Sequence, residues 1–369
     1  MLLEEMGVTE AVISSSGTSR SSFHAYAPSW IDRFVVWVER MPGSPWLVYL
    51  AMLVLSIVIN NGVRWIDGTL AWGTFDLPRI VEIPQVIYLI PFMHYLNRVA
   101  ARSLAHFRSL LDVDDGEYAR LEYELTTMPR SWGWLALAIG FFLTVVNILA
   151  SPAAWAILDA DSVFLTVYYD LLAFILMTLS AAFLLHTLNQ LRMVSWLQQQ
   201  PNKISLFQTG PVYAFSNLTS RTGIGIAILI YYFVFLTYGL KVFGPPPPIA
   251  PIDFVIFMAL FLTAAASFFI PLVGMHDRLV KEKNRALFEV GERLERVRSR
   301  LHARVDREDD EGSDALNKDF ASLLQEAQTL EKISTWPWKP ETLRGFLGAI
   351  TFPVIVWLIT TLLDRLVLS

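Results

Sequence analysis

The chain has 369 residues, 54% of them apolar and 17% charged, with a mean hydropathy of +0.45. The apolar residues fall in long blocks and the charged ones in clusters, which excludes an ordinary water-soluble domain and points to an all-α polytopic membrane protein. The net charge of −5 hides regions of opposite sign, and the absence of cysteine excludes disulfides and thiolate metal sites.

Residues 1–28 begin acidic and turn Ser-rich, with too little apolar surface to offset the entropy of ordering, so they read as a disordered tail. They lack a basic start followed by an apolar core, so the first span is expected to act as an uncleaved signal-anchor. Over 29–43, Trp30, Phe34, Trp37 or Val38, and Met41 recur every three to four residues, with Asp32, Arg33, Glu39 and Arg40 opposite. That pattern predicts an amphipathic helix, lying either in the membrane surface or on the protein's own cytoplasmic part.

Residues 44–275 hold six spans, taking about 20 apolar residues to cross a ~30 Å hydrocarbon layer. They are 45–62, 80–100, 132–150, 163–186, 222–243 and 253–275; a seventh runs over 344–366. Between spans 2 and 3 an inner helix is expected near 98–126, broken at Asp114-Asp115-Gly116 and able to pack beside the later cytoplasmic helices. Pro245–Pro248 form a stiff polyproline spacer outside. With the amino terminus inside, 25 of the 29 basic residues fall in inner segments; only Arg64, Arg79, Lys241 and Arg365 fall outside. Basic residues stay on the cytoplasmic side, so the amino terminus is expected inside and the carboxyl terminus outside.

Beyond span 6 the helical pattern continues past Pro271 and Gly274, which are expected to kink it. Leu287, Val290, Leu294, Val297 and Leu301 form one stripe, and Leu316, Phe320, Leu323, Ala327 and Leu330 a second, on either side of the acidic run Asp306–Glu311. Two such stripes joined by a short polar turn predict an antiparallel cytoplasmic hairpin over 276–335. Residues 336–369 then form a stiff Trp-Pro corner, with Trp336 and Trp338 as interface anchors, and span 7. The basic stretch Lys281–Arg307 is interleaved with Glu282, Glu289, Glu292 and Glu295, so it reads as a solvated coiled-coil surface in preference to an anionic-lipid or nucleic-acid site.

Candidate chemistry is sparse. Asp170 lies about seven residues inside the outer end of span 4, next to Tyr169, where a carboxylate costs about 2.5–3.5 kcal/mol to insert. It reads either as an ion or proton site or as a structural hydrogen bond to a tyrosine or backbone group. Glu82 and His94 in span 2 read as a polar cavity lining or as groups snorkelling to opposite interfaces, and Pro84 and Pro91 make that span bendable. Asn60, Asn61 and Asn147 read as interfacial in preference to helix–helix glue. Gly223-Ile224-Gly225 lacks a preceding strand and a third glycine, so close helix packing explains it better than a nucleotide site. Thr360, Thr361 and Asp364 of span 7 form either a pore mouth in an oligomer or an exposed tail. Six histidines show no HExxH or paired spacing, and no phosphate loop occurs. The chain is therefore expected to be no enzyme and to carry no cofactor or metal.

The segments Leu206-Phe207, Pro211–Phe215 and Trp336–Pro340 resemble those of uncharacterised bacterial membrane proteins, which implies a cell membrane location, the bacterial inner membrane, and no function. In layout alone the chain is similar to the seven-helix odorant and gustatory receptor channels of insects. That resemblance implies a homo-oligomeric, ligand-gated cation channel or chemoreceptor, tetrameric, gated from an outer pocket, with span 7 around the pore. The alternative is a non-conducting membrane scaffold or signalling component whose hairpin docks a soluble protein partner.

Overall fold

The computed structural model describes residues 26–81, 83–150, 162–200, 206–207, 209–235, 251–306 and 313–367. Among these no strand forms; a single backbone bridge pairs Pro28 with Pro129. The fold is all-helical, and three helices, Pro45–Asp67, Arg130–Leu149 and Val163–Leu197, are long and apolar enough to cross a membrane. Residues 1–25, the polyproline spacer, Glu82 and most of the acidic run after Asp306 lie outside the described residues.

Helix α1 (Trp30–Arg40) starts at a capping box in which Ser29 and Asp32 satisfy each other's backbone amides. Its buried face is Ile31, Asp32, Val35 and Val38, and it packs on the bundle. The helix is turned so that Asp32 points inward and Trp37 outward. Helix α2 (Pro45–Asp67) begins with proline at its first turn and ends at Gly68, whose φ of 80° is the left-handed C-cap that glycine favours. The short α3 (Leu77–Ile80) precedes α4 (Ile83–Phe107), which runs through Pro91 without ending. Helix α5 (Asp115–Thr126) is N-capped by Asp114 and lies against α4.

Helices α6 (Arg130–Ala150) and α7 (Val163–Leu197) form the most extensive pairing in the fold, and α5 also touches α7. A Cβ on Gly140 would stand 2.6 Å from the Thr178 Cα, so only glycine allows this approach. Helix α7 runs eleven residues beyond His186, where the apolar pattern ends. After the short α8 (Thr209–Val212), α9 (Ala214–Val234) packs on α4, on α10 (Pro251–Phe269) and on α13 (Pro340–Val367). Gly223 and Gly225 lie within α9, against Phe346 and Ala264 in one case and the Phe92 ring in the other, the close packing expected of them. Asn60 and Asn61 are buried: Tyr168 Oη donates to Asn60 Oδ1 at 3.3 Å across helices, and Asn61 Nδ2 donates to the Ile57 carbonyl of its own helix at 2.9 Å.

A 3-10 turn at Ile270–Leu272, containing Pro271, separates α10 from α11 (Val273–Val305). Proline removes one helical hydrogen bond, and the turn falls where the sequence predicts a kink. Helix α12 (Ser313–Lys332) lies along α11: Val290 and Leu330 are buried in the seam, and Leu294, Leu287 and Ala327 pack around them. Lys283 Nζ donates to the Glu331 and Ile333 carbonyls at 2.7 and 2.9 Å and so closes the carboxyl end of α12.

Candidate functional site

The residues with chemical potential gather in two places. The first is a polar band around the ends of α1, α4 and α7. Residues 27–29 pair with 128–130 through backbone hydrogen bonds of 2.9 Å, which hold the start of α1 beside the start of α6. Asp32 Oδ2 accepts from Ser29 Oγ at 2.6 Å, Met128 N at 3.0 Å and Ser29 N at 3.3 Å. A buried carboxylate persists only when its lone pairs are filled in this way. Tyr26 Oη donates to the Thr127 carbonyl at 2.7 Å and Tyr123 Oη to the Tyr26 carbonyl at 2.6 Å. Burial, and after it the Glu124 charge, pushes the Tyr26 phenol well above its usual range.

At the far end of α1, Glu39 reaches His94. Glu39 Oε1 accepts from His94 Nε2 at 2.9 Å and from Arg98 at 3.3 Å. A carboxylate only accepts, so Nε2 carries the proton and Nδ1 is left to accept from Tyr49 Oη at 2.9 Å. Trp46 lies parallel to the imidazole at 6.5 Å. His94, buried in the fold, thus ties α1 and α2 to α4.

One turn further along α4, Asn97 Oδ1 accepts from His186 Nε2 at 2.7 Å and from Gln190 Nε2 at 3.3 Å. Gln190 Nε2 also reaches the Leu125 carbonyl, which ties in α5. Ser29, Asp32, Met93, Asn97, Met128 and His186 surround a narrow gap. Gln190 Oε1 and Thr187 Oγ1 are buried without a hydrogen-bond partner among the described residues. Among the described residues no three His, Cys, Asp or Glu come close enough to share a metal ion.

The other expected residues stand apart. Asp170 is half-buried and has no hydrogen-bond or ion-pair partner among the described residues. Tyr169 meets Tyr168 edge-on at 5.4 Å. Sixteen residues of helix, ~24 Å, separate Asp170 from His186, so Asp170 and His94 do not form one site. Glu82, and the side chains of Thr360, Thr361 and Asp364, lie outside the described residues.

The second place is the corner between α12 and α13. His276 Nδ1 meets the Thr335 carbonyl at 3.1 Å, and its ring stacks on Trp336 at 3.8 Å. Trp336 stacks on Trp338 at 4.5 Å, Trp338 meets Phe268 at 5.4 Å, and Phe268 stacks on Phe346 at 4.4 Å. Both expected anchor tryptophans thus belong to a continuous ladder of rings that starts on α11, crosses the Trp-Pro corner and α10, and ends inside α13. Such ring pairs add about 0.5–1.5 kcal/mol each beyond their burial.

Reading the sequence alone missed Asp32, Glu39, Tyr49, Asn97, His186, Gln190 and His276. A partial signal was present: His186 and Gln190 are four apart on one helix face, as are His94 and Arg98, and Asn97 follows His94 by three. Comparison with protein-family models, with curated proteins and with solved structures gives no match for this chain.

Proposed function

We propose that the chain is a seven-span membrane protein with its amino terminus inside and its carboxyl terminus outside, and that it serves as a membrane-anchored signalling component. In this reading α11 and α12 form a cytoplasmic hairpin that docks a soluble partner and passes its state to α13, the last span. The outward faces of α2, α6 and α7 support the membrane part. Leu47, Leu50, Val54, Phe141, Phe142 and Val167 are exposed there, a surface that suits lipid and not water. The asymmetry of basic residues supports the orientation.

The observation that carries the signalling part is the ring ladder His276–Trp336–Trp338–Phe268–Phe346. It joins the hairpin to α13 by stacked rigid groups, without a loose linker, so a displacement of the pair reaches α13 directly. The test is hydrogen exchange in nanodiscs on a Trp336→Ala variant. Coupling requires exchange to rise both in 320–335 and in 340–350. A rise confined to the first stretch removes the coupling. Orientation is checked separately: the native chain has no cysteine, so Asn317→Cys should label only from inside and Ser369→Cys only from outside.

A second reading, the homo-oligomeric channel with α13 around a pore, is favoured by the outward flank of α13. Leu347, Phe352 and Ile355 are exposed there, opposite the side that meets α9. Its mark is ion flux from reconstituted vesicles. Flux unchanged by Asp170→Asn would take that residue out of any ion or proton role.

A further inference from the structure

The pair α11–α12 carries a groove along one side of its seam, with a volume of about 420 Å³. Val297, Leu323 and Ser322 line it together with Arg293, Arg296, Arg300 and Asp319. The three arginines follow at i, i+3 and i+7, so one face of α11 presents them together. Elsewhere on α11, Arg285 pairs with Glu289 at 3.2 Å, Arg298 pairs with Glu295 at 2.6 Å, and Lys283 serves the end of α12. The groove arginines differ. Arg296 Nε reaches only the Glu292 carbonyl, at 3.3 Å, and none of the three forms an ion pair among the described residues.

We propose that this groove is the docking site of the soluble partner, and that the partner presents an acidic amphipathic helix: carboxylates spaced to meet the three guanidiniums, and an aliphatic side chain on Val297 and Leu323. This rests on the cytoplasmic-hairpin reading above and adds the chemistry of the partner to it. Arginine forks favour carboxylates held in a fixed array, and a helix supplies that array. A nucleic acid fits poorly. Asp319 lines the groove, and the sequence between α11 and α12 holds five acids against Arg307 over 306–311, a charge balance that disfavours a continuous polyanion. A membrane surface fits poorly too, because Arg293 lies eighteen residues past Met275, ~27 Å along the helix from the expected interface.

The test uses the full chain in neutral nanodiscs and a fluorescent 18-residue peptide with glutamates repeating every three and four positions beside a leucine face. Binding should weaken with salt, and the double variant Arg293→Glu/Arg300→Glu should bind about tenfold more weakly. The same variant should gain affinity for the matching peptide with lysine in place of glutamate, which shows that its groove is intact. Arg285→Glu/Arg298→Glu, reversed outside the groove, should bind as wild type. Equal binding of the acidic peptide and its scrambled form, or of wild type and the groove variant, overturns the proposal. So does tighter binding of an 18-nucleotide single strand or of phosphatidylserine vesicles. Labelling of Asn317→Cys from outside only would instead overturn the cytoplasmic reading, and with it the soluble partner, whatever the peptide does.

Discussion

The helical bundle and the α11–α12 pair are held together in different ways. In the bundle, small residues bring backbones into contact, as Gly140 does at Thr178 and Gly223 at Ala264. Polar side chains then cross between helices: Asn97 to His186, Glu39 to His94, Tyr168 to Asn60. Each bundle helix has several neighbours, so loss of one contact is resisted by others. The pair has one apolar seam, mostly exposed flanks and contacts at its ends. Segments with few buried contacts open at lower free energy. On the proposed reading, a segment of that kind is the part suited to respond to a partner.

The sharpest way to break the bundle side of this contrast is Gly140→Val. The added carbons would collide with the Thr178 backbone, which cannot move without parting α6 from α7. Overpacking costs about 1–3 kcal/mol, and more where, as here, backbone atoms would have to give way. The unfolding midpoint in detergent should fall sharply, while proteolytic protection of 273–332 is unchanged. A midpoint equal to wild type would mean that α6 and α7 do not approach at this glycine.

Leu330→Ala works on the other side. Leu330 is 2% exposed, and its removal leaves a hole in a seam with little else to fill it. Such truncations cost about 2–4 kcal/mol. The loss should appear locally, as faster hydrogen exchange over 280–300 and 316–333, with the bundle's midpoint unmoved. Loss of the whole fold in a single step would show that the pair and the bundle are one cooperative unit.

The same contrast marks where the sequence is legible. Residue pattern alone places α2, α6 and α7 close to their observed starts, because long apolar blocks depend only on length. It also marks Pro271 as a break and locates both stripes of the pair, since a seam between two helices is a one-dimensional pattern. The polar band is not legible in this way. Asp32 sits among charged residues on the helical wheel of α1 and is assigned to water. Its burial follows only from the position of Met128, 96 residues away. Asn97, His186 and Gln190 likewise gain meaning only once α4 and α7 are side by side. The end of α7 was missed for a different reason: the span rule stops at the thickness of a bilayer, and a helix need not. For Asp170 the structure adds partial burial and no partner among the described residues.

The smallest expected effect sharpens the contrast most. Lys283 is a half-buried cation whose ammonium donates to the Glu331 and Ile333 carbonyls. Those carbonyls end α12, where the helix leaves acceptors unsatisfied and the dipole favours a positive charge. Lys283→Met keeps the aliphatic stem and removes the donors. The expected cost is about 1 kcal/mol, too little to shift the unfolding of the whole protein. In a pair held by one seam, however, the last turn of α12 should fray, and residues 328–335 should exchange several-fold faster. Because that turn leads straight to Trp336, the same variant should also loosen the stack on His276. Unchanged exchange over 328–335 would mean that the ring ladder holds the end of α12 by itself, and that the ammonium is a bystander.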